Sequence, residues 1–454
     1  MARQYDLTIF GATGFTGALT AIALARLLVE RHPSLPSSSA LRVAVAGRSA
    51  ARLSALLKRV ADEVVGFDST EFGIVIADVS DAASLRAMAA GSKVLLSAAG
   101  PYRLLGEPVF AACVEERTHY LDVTGEPYFM EKMALKYGAE AAQRGVLAVS
   151  SCGFDSIPAD LGVVFAVDAL RRANCFATEV ESFLTIKTGP AGFGAHFATY
   201  ESAVLGIGST KELVDLRRST REPRVPVFGT PAPKRPSVFR SPKAVGGLWA
   251  LHFPGSDASV VRRSQRAIMN SSSSSDNDAV PLLPVQYGAY FTVSGYVSLA
   301  GTVIFGTLLR ILSQWAWGRR LLLAAPGFFS GGIFTHRGPT PAQLAGTSFE
   351  MRFIVKGFAV GSPEAAEVLA GAGTSTKKPA PTHQIESIVG GAEPGYVATP
   401  LYFLGAAFTV IDEAATLPRG VLTPAAAFRS SSLIQRLTGM GLRFDITQGV
   451  RSLR

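Results

Sequence analysis

The chain opens with a clear change of period. "YDLTIF" (Tyr5 to Phe10) is β-branched and apolar, and after a Gly-rich break "ALTAIALARLLVE" carries its apolar residues at helical spacing. That order predicts strand, tight turn and helix. The alternation then continues: "LRVAVAGRS" (Leu41 to Ser49) reads as a second strand, and "GIVIADV" (Gly73 to Val79) as a third that ends at Asp78. "KVLLSAAGPYRLLGEPV" gives a fourth, ending in Ala98-Ala99-Gly100-Pro101, and "THYLDVTGE" and "GVLAVSSCGFD" supply two more. Six strands alternating with helices predict an N-terminal doubly wound parallel sheet, a Rossmann-type α/β domain over 1–155.

Beyond it the pattern predicts a second, mixed α+β domain over 156–395. "VQYGAYFTV" alternates as a strand, and "SFEMRFIVKGFAV" and "THQIESIVGG" read as antiparallel strands around the loop "AGAGTSTKKPAP". Inside this domain lies an apolar segment, 291–334. Ala279 to Leu309 contains no charged residue, and Phe291 to Leu309 reaches the length of a transmembrane helix. Trp315 and Trp317 beside Arg319 and Arg320 suit an interfacial anchor. Against a full span, the strand claims part of the run, and Gly295, Gly301 and Gly306 thin its hydrophobicity. A second apolar run, Leu321 to Phe334, is too short to span and is broken at Pro326. Together the runs predict a membrane-inserted hairpin or an interfacial patch, with a dimer face or buried core as the alternative. Residues 396–454 form a C-terminal segment. Its "EPGYVATPLYFLGAAFTVIDEA" reads as a turn and an apolar helix, and Thr423 with Pro424 as the cap and first position of a shorter one.

Composition adds constraints. A chain of 454 residues with 48% hydrophobic content can bury two cores. The net charge of +9 raises the question of polyanions. Arg217, Arg218, Arg221, Arg224, Lys234, Arg235, Arg240 and Lys243 fall within 211–243, opposed by Glu222, and their proline-rich setting predicts a surface loop rather than a helix. Arg262, Arg263 and Arg266 form a second cluster. No aromatic interleaving or recognised module accompanies them, which argues against nucleic acid and leaves anionic head groups or an ordinary solvated face. "NSSSSSDND" (270–278) predicts a flexible polar loop. Cys113, Cys152 and Cys175 and six dispersed histidines give no metal spacing, and three cysteines suit a reducing compartment. With the first strand beginning almost at Met1, the expectation is an intracellular protein, membrane-associated or on lipid droplets, with mitochondrial association left open although no clear presequence is present.

The candidate chemistry centres on "IFGATGFTGALT". Gly11, Gly14 and Gly17 stand where missing side chains matter: at the turn, beneath an approaching phosphate, and at the helix–strand contact, with Ala12, Thr13, Phe15 and Thr16 completing the loop. Backbone N–H groups at the helix start then make a pyrophosphate site. The second strand ends in Arg48-Ser49 where a carboxylate would bind the ribose of NAD. Arginine and serine suit the 2′-phosphate of NADP, so NADP is favoured, with NAD as the alternative. Asp78 is placed to meet the adenine amino group, and Ala99, Gly100 and Pro101 form a small-residue edge over which a dinucleotide can pass. Ligands of such sheets lie beyond the strand carboxyl ends, which selects Tyr102 as proton donor or substrate contact, and Asp155 with Ser156 in "CGFDSIPAD". Asp155 and Ser156 read more readily as caps of the helix "IPADLGVVFAVDAL". His196 is a candidate on the substrate side, weighed against a structural role, and Cys152 reads as a small buried thiol.

"GATGFTG", "AVAGRS", "AAGPYRLLGEPV", "YLDVTGEPYF", "CGFDSIPADLGV", "EPGYVATP" and "GVLTPAAAF", in this order over essentially the whole chain, resemble the saccharopine dehydrogenase-like oxidoreductases. That family also resembles the trans-acting enoyl reductases of mycobacterial lipid synthesis. The resemblance implies an NAD(P)-binding Rossmann domain and a mixed second domain, in a group associated with lipid droplets and membranes, with the apolar C-terminal helix packed near the first domain. The expectation is an oxidoreductase, NADP-preferring, passing hydride to a lipid or other apolar carbonyl or enoyl substrate at such a surface, with a homodimer allowed. Two alternatives stand beside it: literal saccharopine chemistry, and an NADPH-binding lipid-droplet scaffold without turnover.

Overall fold

Along β1 (Tyr5–Phe10) all but the first residue are buried, because apolar layers cover both faces of the sheet in which it is an interior strand. The computed structural model describes residues 3–37, 41–220, 222, 224–271, 280–370 and 378–453. Arg221 and most of the predicted loops at 270–278 and 371–377 therefore lie outside the described residues. β2 (Val43–Gly47), β3 (Phe72–Ile76), β4 (Ser92–Ser97), β5 (His119–Asp122) and β6 (Leu147–Val149) join β1 in a wholly parallel sheet. α1 (Phe15–Val29), α2 (Ala50–Glu63), α3 (Ala82–Gly91), α4 (Tyr102–Glu115) and α5 (Pro127–Gln143) make the crossovers.

The expected six strands become seven. α6 (Ile157–Arg172) leads into a second seven-stranded sheet, whose central strand is β7 (Cys175–Lys187). β8 (Ala195–His196) forms a small separate ladder, after which α7 (Phe197–Gly208) and α8 (Thr210–Thr220) precede β9 (Val238–Arg240) and β10 (Trp249–His252). α9 (Asp257–Ser271), β11 (Gln286–Val293), α10 (Gly295–Leu312) and α11 (Ala316–Ala324) come next. β12 (Phe334–Thr335) pairs with β8, and β13 (Ser348–Ala359) and β14 (His383–Ala392) pair antiparallel as expected. β15 (Gly420–Leu422) then returns to the parallel sheet beside β6, while β16 (Arg443–Ser452) closes the edge of the second sheet on β14. The last sixty residues thus stitch both sheets together, something a local period cannot signal.

Three expectations change. The third strand stops at Ile76, so Asp78 sits in the following turn, where its Oδ1 accepts from the Ser80 N–H (2.9 Å) and hydroxyl (2.8 Å). The basic stretch is not all loop, since α8 carries Arg217 and Arg218. Its arginines are also less bare than their sequence neighbours suggest: Arg217 meets Glu131 of α5, and Arg235 meets Glu181 of β7. Finally, Thr423 occupies the N-cap position of the helix Pro424–Phe428 without capping it. Asp160 does so from α6, its Oδ2 accepting from the Ala425 N–H at 2.7 Å.

Candidate functional site

The Gly-rich turn leaves β1 and enters α1. Gly11 has φ +73°, and a Cβ there would stand 2.9 Å from the Ala99 nitrogen, so this turn and the end of β4 approach too closely for any side chain. A Cβ on Gly17 would strike the Gly11 carbonyl, which locks the helix onto the turn. Gly14, the N-cap of α1, is exposed and meets nothing but the turn itself, leaving the first N–H groups of the helix open for an anion. Ala12 is buried beneath, while Thr13, Phe15 and Thr16 line the rim.

Arg48 follows β2 into solvent and, among the described residues, donates no hydrogen bond. Ser49 is half-buried and caps α2 by accepting from the Arg52 N–H at 3.4 Å. Asp78 lies within electrostatic reach of Arg48, and its carboxyl is held below the usual range, chiefly by the N–H and hydroxyl of Ser80 and then by Arg48. A free guanidinium beside a strand end is the donor a 2′-phosphate needs, and the residues present fit a phosphorylated dinucleotide. Ala99, Gly100 and Pro101 continue this edge and lead directly into α4.

Tyr102 corrects the reading of it as proton donor. It is only 6% exposed, its hydroxyl donates to the Ser97 carbonyl at 2.7 Å, and the Val123 N–H donates to it at 3.3 Å. Burial, reinforced by the charge of Asp122, pushes its ionisation far up, so the phenol works as a pin between β4 and β5. The α4 N-terminus is capped from outside its own sequence by Glu126, whose carboxylate accepts from the Tyr102 N–H (2.9 Å) and the Arg103 N–H (3.1 Å).

Asp155 caps no helix either. Its Oδ1 accepts from the Ser256 N–H (3.2 Å) and hydroxyl (2.8 Å) and from the Ser156 hydroxyl (3.1 Å). The other oxygen lies over Gly125 and Gly255, where added Cβ atoms would stand 2.9 and 3.0 Å from it. Beside it is Asp257, 2% exposed, with a carboxyl well above the usual range, first from burial and then from the facing charge of Asp155. Two carboxyl groups this close retain a proton between them. Ser256 and Asp257 lie a hundred residues from Asp155, and only their position before the helical run "DASVVRRSQRAI" hints at a role. Cys152 is fully buried, its thiol directed to the Val149 carbonyl, and burial raises it far above its ordinary value.

His196 joins this site by packing rather than by chemistry. Its ring stacks on Phe15 (centroids 4.5 Å apart, 16° between planes), and its Nδ1 accepts from the Ala198 N–H to cap α7. Tyr396 meets the edge of Phe15, and its hydroxyl accepts from the His196 N–H at 2.6 Å and pairs with the Thr199 hydroxyl at 3.2 Å. Thus α7, which starts at the cofactor turn, runs away from it to support α10 and α11 through Tyr200, Val204, Leu309 and Leu322. Those two helices carry an exposed apolar surface in which Val297 is 88% and Trp317 60% exposed, and Trp315 and Trp317 stack.

Comparison with known proteins agrees with this geometry. Residues 7–149 match the saccharopine dehydrogenase NADP-binding domain, so the cofactor is NADP. The chain is 39% identical to a saccharopine dehydrogenase-like oxidoreductase of Homo sapiens, covering 98% of this chain and 97% of that one. It is 33% identical to a Caenorhabditis elegans protein named lipid droplet localized protein, covering 98% of each. Among solved structures it is similar to saccharopine dehydrogenase (L-Glu forming) from Saccharomyces cerevisiae, with a TM-score of 0.51 and 12% identity over 99% of this chain and 100% of that one, a likeness of fold. With its parallel sheet, its glycine turn and a match along nearly its full length, the chain belongs to the saccharopine dehydrogenase-like oxidoreductases.

Proposed function

We propose that this protein is an NADPH-dependent reductase of an apolar carbonyl or enoyl substrate, taken from a membrane or lipid-droplet surface. The observation that supports the reading is α7, a single helix that begins against Phe15 of the cofactor turn and ends beneath the exposed apolar helices. The cofactor turn and the apolar surface therefore meet opposite ends of one helix. When bound, NADPH supplies a hydride at its nicotinamide ring. The turn of Gly11, Gly14 and Gly17 would hold the diphosphate at the α1 N-terminus, and Arg48 would hold the 2′-phosphate. The Asp155–Asp257 pair stores a proton, and Asp155 Oδ2, which lies over Gly125 beyond β5, is the oxygen from which that proton would pass to the acceptor. The name of the nematode relative adds support for a lipid-droplet setting.

Arg48→Ala is the test of the cofactor half. Losing charge-assisted hydrogen bonds to a phosphate, worth about 1.5–3 kcal/mol, should weaken NADPH by roughly ten- to a hundredfold and leave NADH unchanged, as read by nicotinamide fluorescence. For the catalytic half, NADPH oxidation is followed with vesicles carrying unsaturated lipid aldehydes or ketones. Turnover that falls in Asp155→Asn with NADPH affinity intact supports reduction. Tight binding without turnover on any such acceptor would make the protein a cofactor-binding scaffold.

A further inference from the structure

A second polar cavity lies away from the dinucleotide turn, where α5, α8 and α9 meet. It encloses about 150 Å³ and is lined by Arg217, Arg262, Arg263 and Arg266, with Glu131 and Glu222 among the remaining walls. Four guanidinium groups face two carboxylates. Both carboxylates are already taken: Glu131 accepts from Arg217 at 2.6 and 2.9 Å and from the Ser259 hydroxyl, and Glu222 pairs with Arg266. Arg262 uses its Nε on the Ala258 carbonyl of its own helix, and Arg263, half-buried, donates no hydrogen bond among the described residues. The Arg266 Nε is also buried without a partner.

The lining carries two more guanidinium groups than carboxylates, and neither the half-buried Arg263 nor the exposed Arg262 makes an ion pair among the described residues. Burial first, with a contribution from neighbouring arginines, holds both Arg262 and Arg263 below their ordinary ionisation range, although Glu131 pulls the other way on both and Glu222 on Arg263. A folded chain tolerates such a cluster when an anion completes it, since unpaired buried charge is costly. Guanidinium forks match the oxygens of a phosphate two at a time. The cavity is well below the roughly 300–1,000 Å³ of pockets that enclose drug-sized ligands, so it admits one phosphate group rather than a nucleotide.

We propose that the α5–α8–α9 junction is a phosphate-group site, separate from the NADP turn, with Arg262 and Arg263 as its principal ligands. Its source is either a phospholipid head group or a soluble phosphoester. α8 follows α7 directly in the chain, so the site is tied to the same scaffold as the apolar helices.

The test uses full-length protein saturated with NADP, so that the cofactor's own phosphate contacts are occupied, titrated calorimetrically with inorganic phosphate. One further site of millimolar affinity or tighter is expected, weakened at least tenfold by Arg262→Gln and by Arg263→Gln, with NADP affinity unchanged. If Arg263→Gln fails to fold, the exposed Arg262 and the charge-retaining Arg263→Lys decide the matter. No phosphate binding to the saturated protein, or binding indifferent to both positions, overturns the site. Flotation with phosphatidic acid vesicles that exceeds flotation with phosphatidylcholine, and falls in Arg262→Gln, assigns the phosphate to a lipid. Binding of glycerol phosphate with no such vesicle preference assigns it to a soluble phosphoester.

Discussion

The stretch 394–413 and helix α10 have similar mean hydropathies, 1.3 and 1.6, and each is long enough to cross a bilayer. Their surroundings differ completely: 78% of the first is buried inside the protein, against 6% of the second. The helix Thr399–Glu413 packs against α1, β4 and β5, with Phe403, Leu404 and Phe408 fully enclosed. It is the inner wall of the NADP-binding domain, contributed from the far end of the chain. α10 presents Tyr296, Val297 and Ile304 to solvent, at 71%, 88% and 60% exposure, and touches the protein mainly through its α7 side. One apolar helix is satisfied within the fold. The other leaves its apolar face exposed, and this is the face that the proposed lipid surface would cover.

The largest effect expected from this contrast is at the buried helix. Phe408→Ala should cost about 3–5 kcal/mol through lost transfer energy and the cavity left behind, and NADPH affinity should fall with it. Chemical denaturation with cofactor titration reads both, and a loss below about 1 kcal/mol would show that this helix is not part of the core.

A smaller effect concerns the polar joint between α6 and the C-terminal segment. Burial raises the Asp160 carboxyl to about 6, although the Ser264 hydroxyl and the Ala425 N–H pull the other way. Because the folded state holds this proton more tightly than the unfolded chain, the associated stability is present below about pH 4 and lost as pH rises through about 6, up to ~3 kcal/mol in all. Asp160→Asn should therefore gain on the wild type between about pH 4 and pH 8 by that order, measured by urea denaturation at both. A difference independent of pH would mean that Asp160 is ionised throughout.

The smallest effect on stability is expected at α10. Val297→Asp with Ile304→Asp should alter folding stability by no more than about 0.5 kcal/mol each, as exposed substitutions do, while abolishing flotation with lipid vesicles or droplets. If the pair instead unfolds the protein, α10 is covered by another protein surface and the contrast with the buried helix disappears.

Much of the NADP-binding half was legible from local pattern. Three glycines at fixed spacing, a strand before and a helix after determine the turn, because close backbone approach excludes every other residue at Gly11 and Gly17. Arg48 was legible for the same local reason, as a charged residue at the end of an apolar strand. The family signature lies in such local runs. Tyr102 as proton donor and Asp155 as a helix cap were misread because sequence shows a functional group but not what it is bonded to. The Ser97 carbonyl claims the first, and Ser256, a hundred residues on, claims the second. Asp257, Glu126 and the arginine cavity become visible only when α4, α5, α8 and α9 are packed together, for their energies depend on distance and burial. The same holds for the two apolar helices. Their composition determined that both are long and apolar, and the tertiary structure decided which one is covered inside the protein, since only one finds enough apolar area within the fold to bury it.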